Sequence, residues 1–168
     1  MRHRLGEHPR CQRGPLTGPN PTDRRRAGSK HHLLTDACGV PLAGTLTGAN
    51  ANDITQLLAL LEAVPPVRGK VGRPRRRPQR VQGDRAYDSN WHRQQLRGLG
   101  IEPILGRRRV PHGSGLGVTR WVVERTLAWL HQFKRLRIRY GRQSELHEAF
   151  FALVRAIICC RATHNSFC

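Results

Sequence analysis

The sequence predicts a mixed α/β domain, on three observations. Short strand-like runs come first and then alternate with segments of helical period, the order expected of a sheet with helices packed on it. Clusters of Pro and Gly punctuate the boundaries between these runs. Hydrophobic residues fill 38% of 168 positions, with no internal repeat, which suits one domain with a real core.

Residues 1–27 are rich in Pro, Gly and Arg without an apolar period and read as an irregular basic arm. From Gly28 the character changes. Lys30–Asp36 and Pro41–Thr47 read as two strands around Ala37-Cys38-Gly39, a hairpin with Asp36 at its turn. Asn50–Asp53 then offers capping side chains, Asp53 among them, for the amphipathic run ITQLLALLEAV, which Pro65-Pro66 ends. Arg68–Arg80 is a basic, proline-broken loop. A short strand (Arg80–Gly83), the segment GDRAYDS, a polar helix (Asn90–Leu99) and a strand (Ile101–Leu105) follow. Asp88 or Ser89 is placed to cap that helix. Beyond the loop GRRRVPHGSGLG, a long helix is expected from Thr119 through Leu136 and a last one over Ser144–Cys160, with a polar tail at 161–168. The domain is therefore drawn at 28–160.

Charge narrows the function classes. Thirty Lys plus Arg against eleven Asp plus Glu give +19, and all but Lys30, Lys70 and Lys134 of the basic residues are arginine. Such an excess repels itself unless a polyanion balances it, and arginine forks phosphate oxygens bidentately. Aromatics are only 5% and no stacking motif of an RNA-binding module occurs, which counts against an RNA- or ribosome-associated protein; a phosphate-rich partner, nucleic acid, is what the charge itself predicts. Five cysteines (Cys11, Cys38, Cys159, Cys160, Cys168) form no CxxC pair, so reduced thiols and no zinc site are expected. The most apolar stretch, Ala149–Cys160, is too short to span a bilayer and is interrupted by Arg155. No membrane association and a cytoplasmic, nucleoid-associated location are the expectation.

No phosphate loop is present, since GSGLG lacks the lysine and the spacing, and no Ser or Cys sits in a nucleophile elbow. Carboxylates remain. Most of the eleven stand beside basic residues or at turns, where structural roles suffice. Asp84 directly follows a strand, where a carboxylate can project over the sheet's edge, although a turn or cap role fits as well. Glu124 lies inside a long helix. At 100° per residue, Arg120, Glu124 and His131 fall within about 40° of one another. Val122, Val123, Trp129, Leu130 and Phe133 take the other side. A surface pair between Arg120 and Glu124 would satisfy the same spacing.

Three blocks, GSKHHLLTDACGVPLAGTLTGANANDITQLLALL, RPRRRPQRVQGDRAYDSN and GLGVTRWVVERTLAWLHQFKRLRIRY, resemble the DDE-type transposases of bacterial insertion sequences over roughly residues 14–160. The resemblance implies an RNase H-like mixed sheet flanked by helices, with three carboxylates meeting at one end. Asp84 matches the second aspartate of that family, in G-D-R-x-Y-D, and Glu124 its glutamate. The pattern Tyr-x2-Arg-x3-Glu-x6-Lys is kept at Arg120 and Glu124, while Gly117 and His131 replace the tyrosine and lysine; Lys134 stands one turn on. The implied chemistry is cleavage of a DNA strand followed by attack of its freed 3′-hydroxyl on target DNA, using two Mg²⁺ or Mn²⁺ ions held by carboxylate oxygens. Double-stranded DNA, as transposon ends and target, and a homo-oligomeric complex are the implied partners. Arg73, Arg75, Arg76, Arg77, Arg120, His131, Lys134 and Arg135 are the candidates for DNA contact, with Arg137 and Arg139 beside them.

The same resemblance places a first catalytic aspartate a little upstream of Gly14. The residues there read MRHRLGEHPRCQRG, with no aspartate and no strand-like alternation. The first strand is therefore expected to be degraded or missing, through a frameshifted segment or an element that joins two frames. Such a chain would be catalytically incomplete, an inactive transposase or a DNA-binding remnant.

Overall fold

The hairpin expected around Ala37–Gly39 forms the main sheet of the computed structural model, which describes residues 14–21, 27–68, 71–107 and 117–166. Strands β2 (Ala27–Thr35) and β3 (Pro41–Gly48) pair antiparallel from Ser29↔Gly48 to Thr35↔Pro41. Asp36 makes the turn as expected: its Oδ1 accepts from the backbone N–H of Cys38 (2.9 Å) and Val40 (2.8 Å). Gly39 holds φ +89°, the left-handed region that glycine enters without strain. Within the segment read as an arm, β1 (Gly18–Pro19) pairs with the start of β2, giving the order β1-β2-β3.

Next along the chain, a 3₁₀ turn (Asp53–Gln56) leads into α1 (Leu57–Glu62). Asn52 supplies the cap, its side chain accepting from the Ile54 N–H, so the capping role expected of Asp53 falls one residue earlier. The carboxylate of Asp53 is committed elsewhere, to Lys30. Strand β4 (Arg80–Gly83) appears where expected and pairs in parallel with β5 (Glu102–Leu105) through α2 (Asn90–Gly98), a βαβ unit. Ser89 caps α2 by position but not by a side-chain hydrogen bond.

The remaining elements are α3 (Gly117–His131), α4 (Lys134–Arg137) and α5 (Ser144–Ser166). The single long helix expected through Leu136 is broken, because Phe133 turns to an extended conformation before α4. The last helix runs six residues past Cys160, through most of the expected tail.

The architecture is α/β, with two separate sheets among the described residues: three antiparallel strands and one parallel pair. One core joins them. Leu57 and Leu61 of α1 bury with Val81 of β4, Leu96 of α2, Ile101 and Leu105, and Leu34 of β2 packs against that cluster. A second core places Leu130, Leu136, Phe151, Val154 and Ile158 together, with Leu33 of β2 against it. Adjacent residues of one strand thus serve opposite faces, as the period of two requires. Burial of each such side chain contributes about 1.5–3 kcal/mol. No described helix is long and apolar enough to cross a membrane.

Candidate active site

Asp84 is positioned by the glycine before it and the strand beside it. A Cβ on Gly83 would stand 2.9 Å from Leu105 Cδ2 and 3.3 Å from Tyr87 Cδ2, so glycine lets β4 and the following turn close on β5 without displacing either side chain. Asp84 then caps a 3₁₀ turn (Arg85–Tyr87), with Oδ1 accepting from the Ala86 N–H at 2.9 Å. The cap that the sequence allowed is therefore real, and it fixes the direction of the carboxylate at the C-terminal end of β4. The other aspartate of this motif is structural: Asp88 accepts from Arg93 at 2.8 Å, and Arg93 also donates to Leu105 O at 3.0 Å.

A further carboxylate stands nearby, and sequence reasoning missed it. The Tyr87 hydroxyl has its pKa pushed up to about 12, first by burial and then by the charges of Asp53 and Asp84. Asp53 in turn accepts from Lys30 Nζ at 2.9 Å, and Lys30 donates to Ala51 O at 3.0 Å. His32 lies beside this pair, 3.8 Å from Asp53, with Nε2 2.7 Å from Thr47 Oγ1. Only tertiary contact brings residues 30, 53 and 87 together, so no local pattern announces them.

Glu124 is exposed on α3, between residues that anchor the helix. Thr126 is fully buried and donates to Gly39 O at 2.8 Å, while Arg125 donates to Cys38 O at 2.7 Å. The β2–β3 turn therefore grips α3 one and two residues after Glu124. Val122, Thr126 and Leu130 form the buried face. Trp129, expected on that face, is instead 38% exposed. With Trp121 it sandwiches the Arg125 guanidinium, 4.4 and 4.9 Å from the two rings.

The family model for the transposase DDE domain matches residues 8–159. The protein assigned as transposase for insertion sequence element IS402 of Burkholderia cepacia is 61% identical over 145 residues, covering 86% of this chain and 69% of that one. The chain belongs to the transposase DDE domain family. No solved structure matches it.

In this transposase domain the basic residues singled out from sequence separate into different roles. Arg73, Arg75, Arg76 and Arg77 are exposed on the loop between α1 and β4, whose backbone is pinned by the Val67–Arg75 bridge. Lys134 and Arg135 are exposed on α4, with Arg135 stacked 5.1 Å over Phe150. The side chain of Arg120 lies outside the described residues. His131 joins a histidine cluster: its ring lies 5.9 Å from that of His31, whose Nε2 is 3.1 Å from His147 Nε2. Burial lowers the pKa of His131, and Arg137 lowers it further. Arg139 is a correction. It is buried and donates to Pro15 O, Thr17 Oγ1, Ser29 Oγ and Arg142 O, so its guanidinium is spent on contacts within the chain.

Oxygen donors such as Asp84 and Glu124 suit Mg²⁺ in kind. In number they fall short, because among the described residues no three His, Cys, Asp or Glu side chains gather into a group that could hold a metal ion.

Proposed function

We propose that this chain carries the catalytic domain, residues 28–160, of an insertion-sequence transposase that acts on double-stranded DNA and holds an incomplete acidic site. In this reading Asp84 and Glu124 are two of three metal-binding carboxylates on an RNase H-like frame. The observation that carries it is the Asp84 corner. The carboxylate stands at the C-terminal end of a parallel strand, on a glycine-enabled turn, inside the motif that matches the family. The packing of β2 and β4 against one core supports a single α/β domain, as that frame requires.

Mg²⁺ or Mn²⁺, when bound, would activate the attacking oxygen and stabilise the leaving one. The chain's own residues aim one carboxylate through a backbone cap and hold α3 against the β2–β3 turn. The exposed arginines at 73, 75, 76 and 77, with Arg120, Lys134 and Arg135, would contact the DNA backbone. Transposon ends, target DNA and further copies of the chain are the proposed partners, and the nucleoid the place of action.

Residues 1–22 contain Glu7 and no aspartate, which supports an inactive chain. The same feature supports a second reading, a non-catalytic DNA-binding remnant that occupies transposon ends or blocks intact copies. The experiment compares this chain with one in which the IS402-type protein's segment upstream of Gly14 replaces residues 1–13. Mg²⁺-dependent nicking of duplex DNA is expected only in the second chain, and Asp84→Ala should abolish it while leaving DNA binding intact. Binding without nicking in the restored chain would favour the remnant. Translation of the upstream nucleotides in all three frames tests the frameshift: no aspartate-bearing strand in any frame would exclude it.

A further inference from the structure

Helix α5, Ser144–Ser166, is apolar on two opposite sides. One side is the core: Ser144, His147, Phe151, Val154 and Ile158 are buried. The other side carries Leu146, Ala149, Leu153, Ala156 and Cys160, all exposed, with Leu146 at 46% and Leu153 at 56%. These five follow one another at spacings of three, four, three and four, the a/d repeat of a helix that packs along another helix. On a helical wheel they span about 80°, directly across from the buried face.

None of the five is charged, in a chain where 24% of residues are. Glu145, Glu148, Arg155 and Arg161 all fall outside the stripe. A helix with apolar stripes on two opposite sides is normally covered on both. The heptad spacing selects a helix as the cover, because a strand or loop gains nothing from a 3.5-residue period.

We propose that a second copy of this chain covers the stripe with its own α5, antiparallel to the first. Charge chooses both the partner and the direction. The chain is strongly basic, so most of its surface repels a copy of itself, whereas α5 bears acids in its first half (Glu145, Glu148) and arginines in its second (Arg155, Arg161). Antiparallel pairing sets each acidic end beside the arginine end of the other copy and opposes the helix dipoles; parallel pairing sets like against like. Leu153 then sits at the two-fold axis facing its own copy. Ala149 faces Ala156 across the seam, where small side chains let the axes approach, and Leu146 faces Cys160. This pairing does not depend on Asp84 and Glu124 forming a site, and its failure would leave that reading untouched.

Sedimentation equilibrium of the full chain at tens of micromolar, in salt high enough to screen the net charge, is expected to give a dimer. Leu153→Glu, at an exposed position, should return it to a monomer with an unchanged circular dichroism spectrum. A wild-type monomer, or a dimer indifferent to Leu153→Glu, would overturn the proposal. Direction is read by oxidation of Leu146→Cys in a chain whose Cys11, Cys38, Cys159 and Cys168 are serine. Peptide mapping should find position 146 of one copy linked to Cys160 of the other. A link between the two Cys160 residues would overturn the antiparallel arrangement.

Discussion

Arg139 and Asp84 are both charged residues whose positions follow from backbone hydrogen bonding. Arg139 is 5% exposed and spends its donors on carbonyls and hydroxyls around Thr17 and Arg142, tying the β1 segment to the end of α4. Removing it deletes several part-buried hydrogen bonds at once, so Arg139→Ala should lower the unfolding free energy by about 3 kcal/mol, measured by urea denaturation. Arg76→Ala, on the exposed loop, should change stability by less than about 0.5 kcal/mol and should weaken DNA binding instead. The two arginines are indistinguishable in sequence, where both stand in runs of basic residues. Burial separates them, and burial is a property of the fold. Lys30, Asp53 and Tyr87 show the same limit around the candidate site: contacts across 20 residues and more assemble them, and each would be unremarkable alone.

At the scale of elements, two packing joints carry most of the testable content. Gly44 of β3 faces Phe151 of α5 so closely that a Cβ would meet its ring at 2.8 Å. Phe151 is buried and cannot swing away, so Gly44→Ala should cost about 1–3 kcal/mol, read as a lower Tm. The second joint is the histidine cluster that links β2, α3 and α5. His31 has its pKa lowered from 6.5 to about 3, by burial first and then by His147, His131 and His32. Arg137 and Arg139 also face the cluster, through His131 and His147. Between these pH values the unfolded chain binds more protons than the folded one, so stability must fall as pH drops below about 6.5 and keep falling toward 3. A Tm measured from pH 8 to 5 should decline, and less so in His31→Phe; a flat profile would contradict the burial of a neutral imidazole.

Local chemistry made the hairpin, the Asp36 turn, the β4 strand and α2 legible, because turn residues and short-period patterns determine them. It did not reveal the break at Phe133, where the apolar period runs on unbroken. The extension of α5 was equally hidden, since the polar residues after Cys160 resemble a tail and remain acceptable in a helix. Helical periodicity puts Trp129 on the side opposite Glu124, whereas in the structure it stays at the surface, stacked on Arg125.

For the whole molecule, the charge of +19 is the dominant property. Contacts to about six phosphates would lower DNA affinity roughly a thousandfold between 50 and 200 mM salt, a slope that fluorescence anisotropy can measure directly. A shallow slope would mean that the arginine surface is not the DNA-binding face. The fold class was readable from the order of strands and helices. The separation into two sheets was not, because pattern marks strands without saying which ones meet. In the proposed site the corner of β4 and the middle of α3 converge on one cation. In the chain whose residues 1–13 are replaced by the IS402-type segment, Fe²⁺ substituted for Mg²⁺, with ascorbate and peroxide, cuts backbone near its binding site, and peptide mapping locates the cuts. Cuts next to Asp84 and next to Glu124, both lost in Asp84→Asn, are the predicted result; cleavage beside only one of them, or cleavage that survives the substitution, would contradict it.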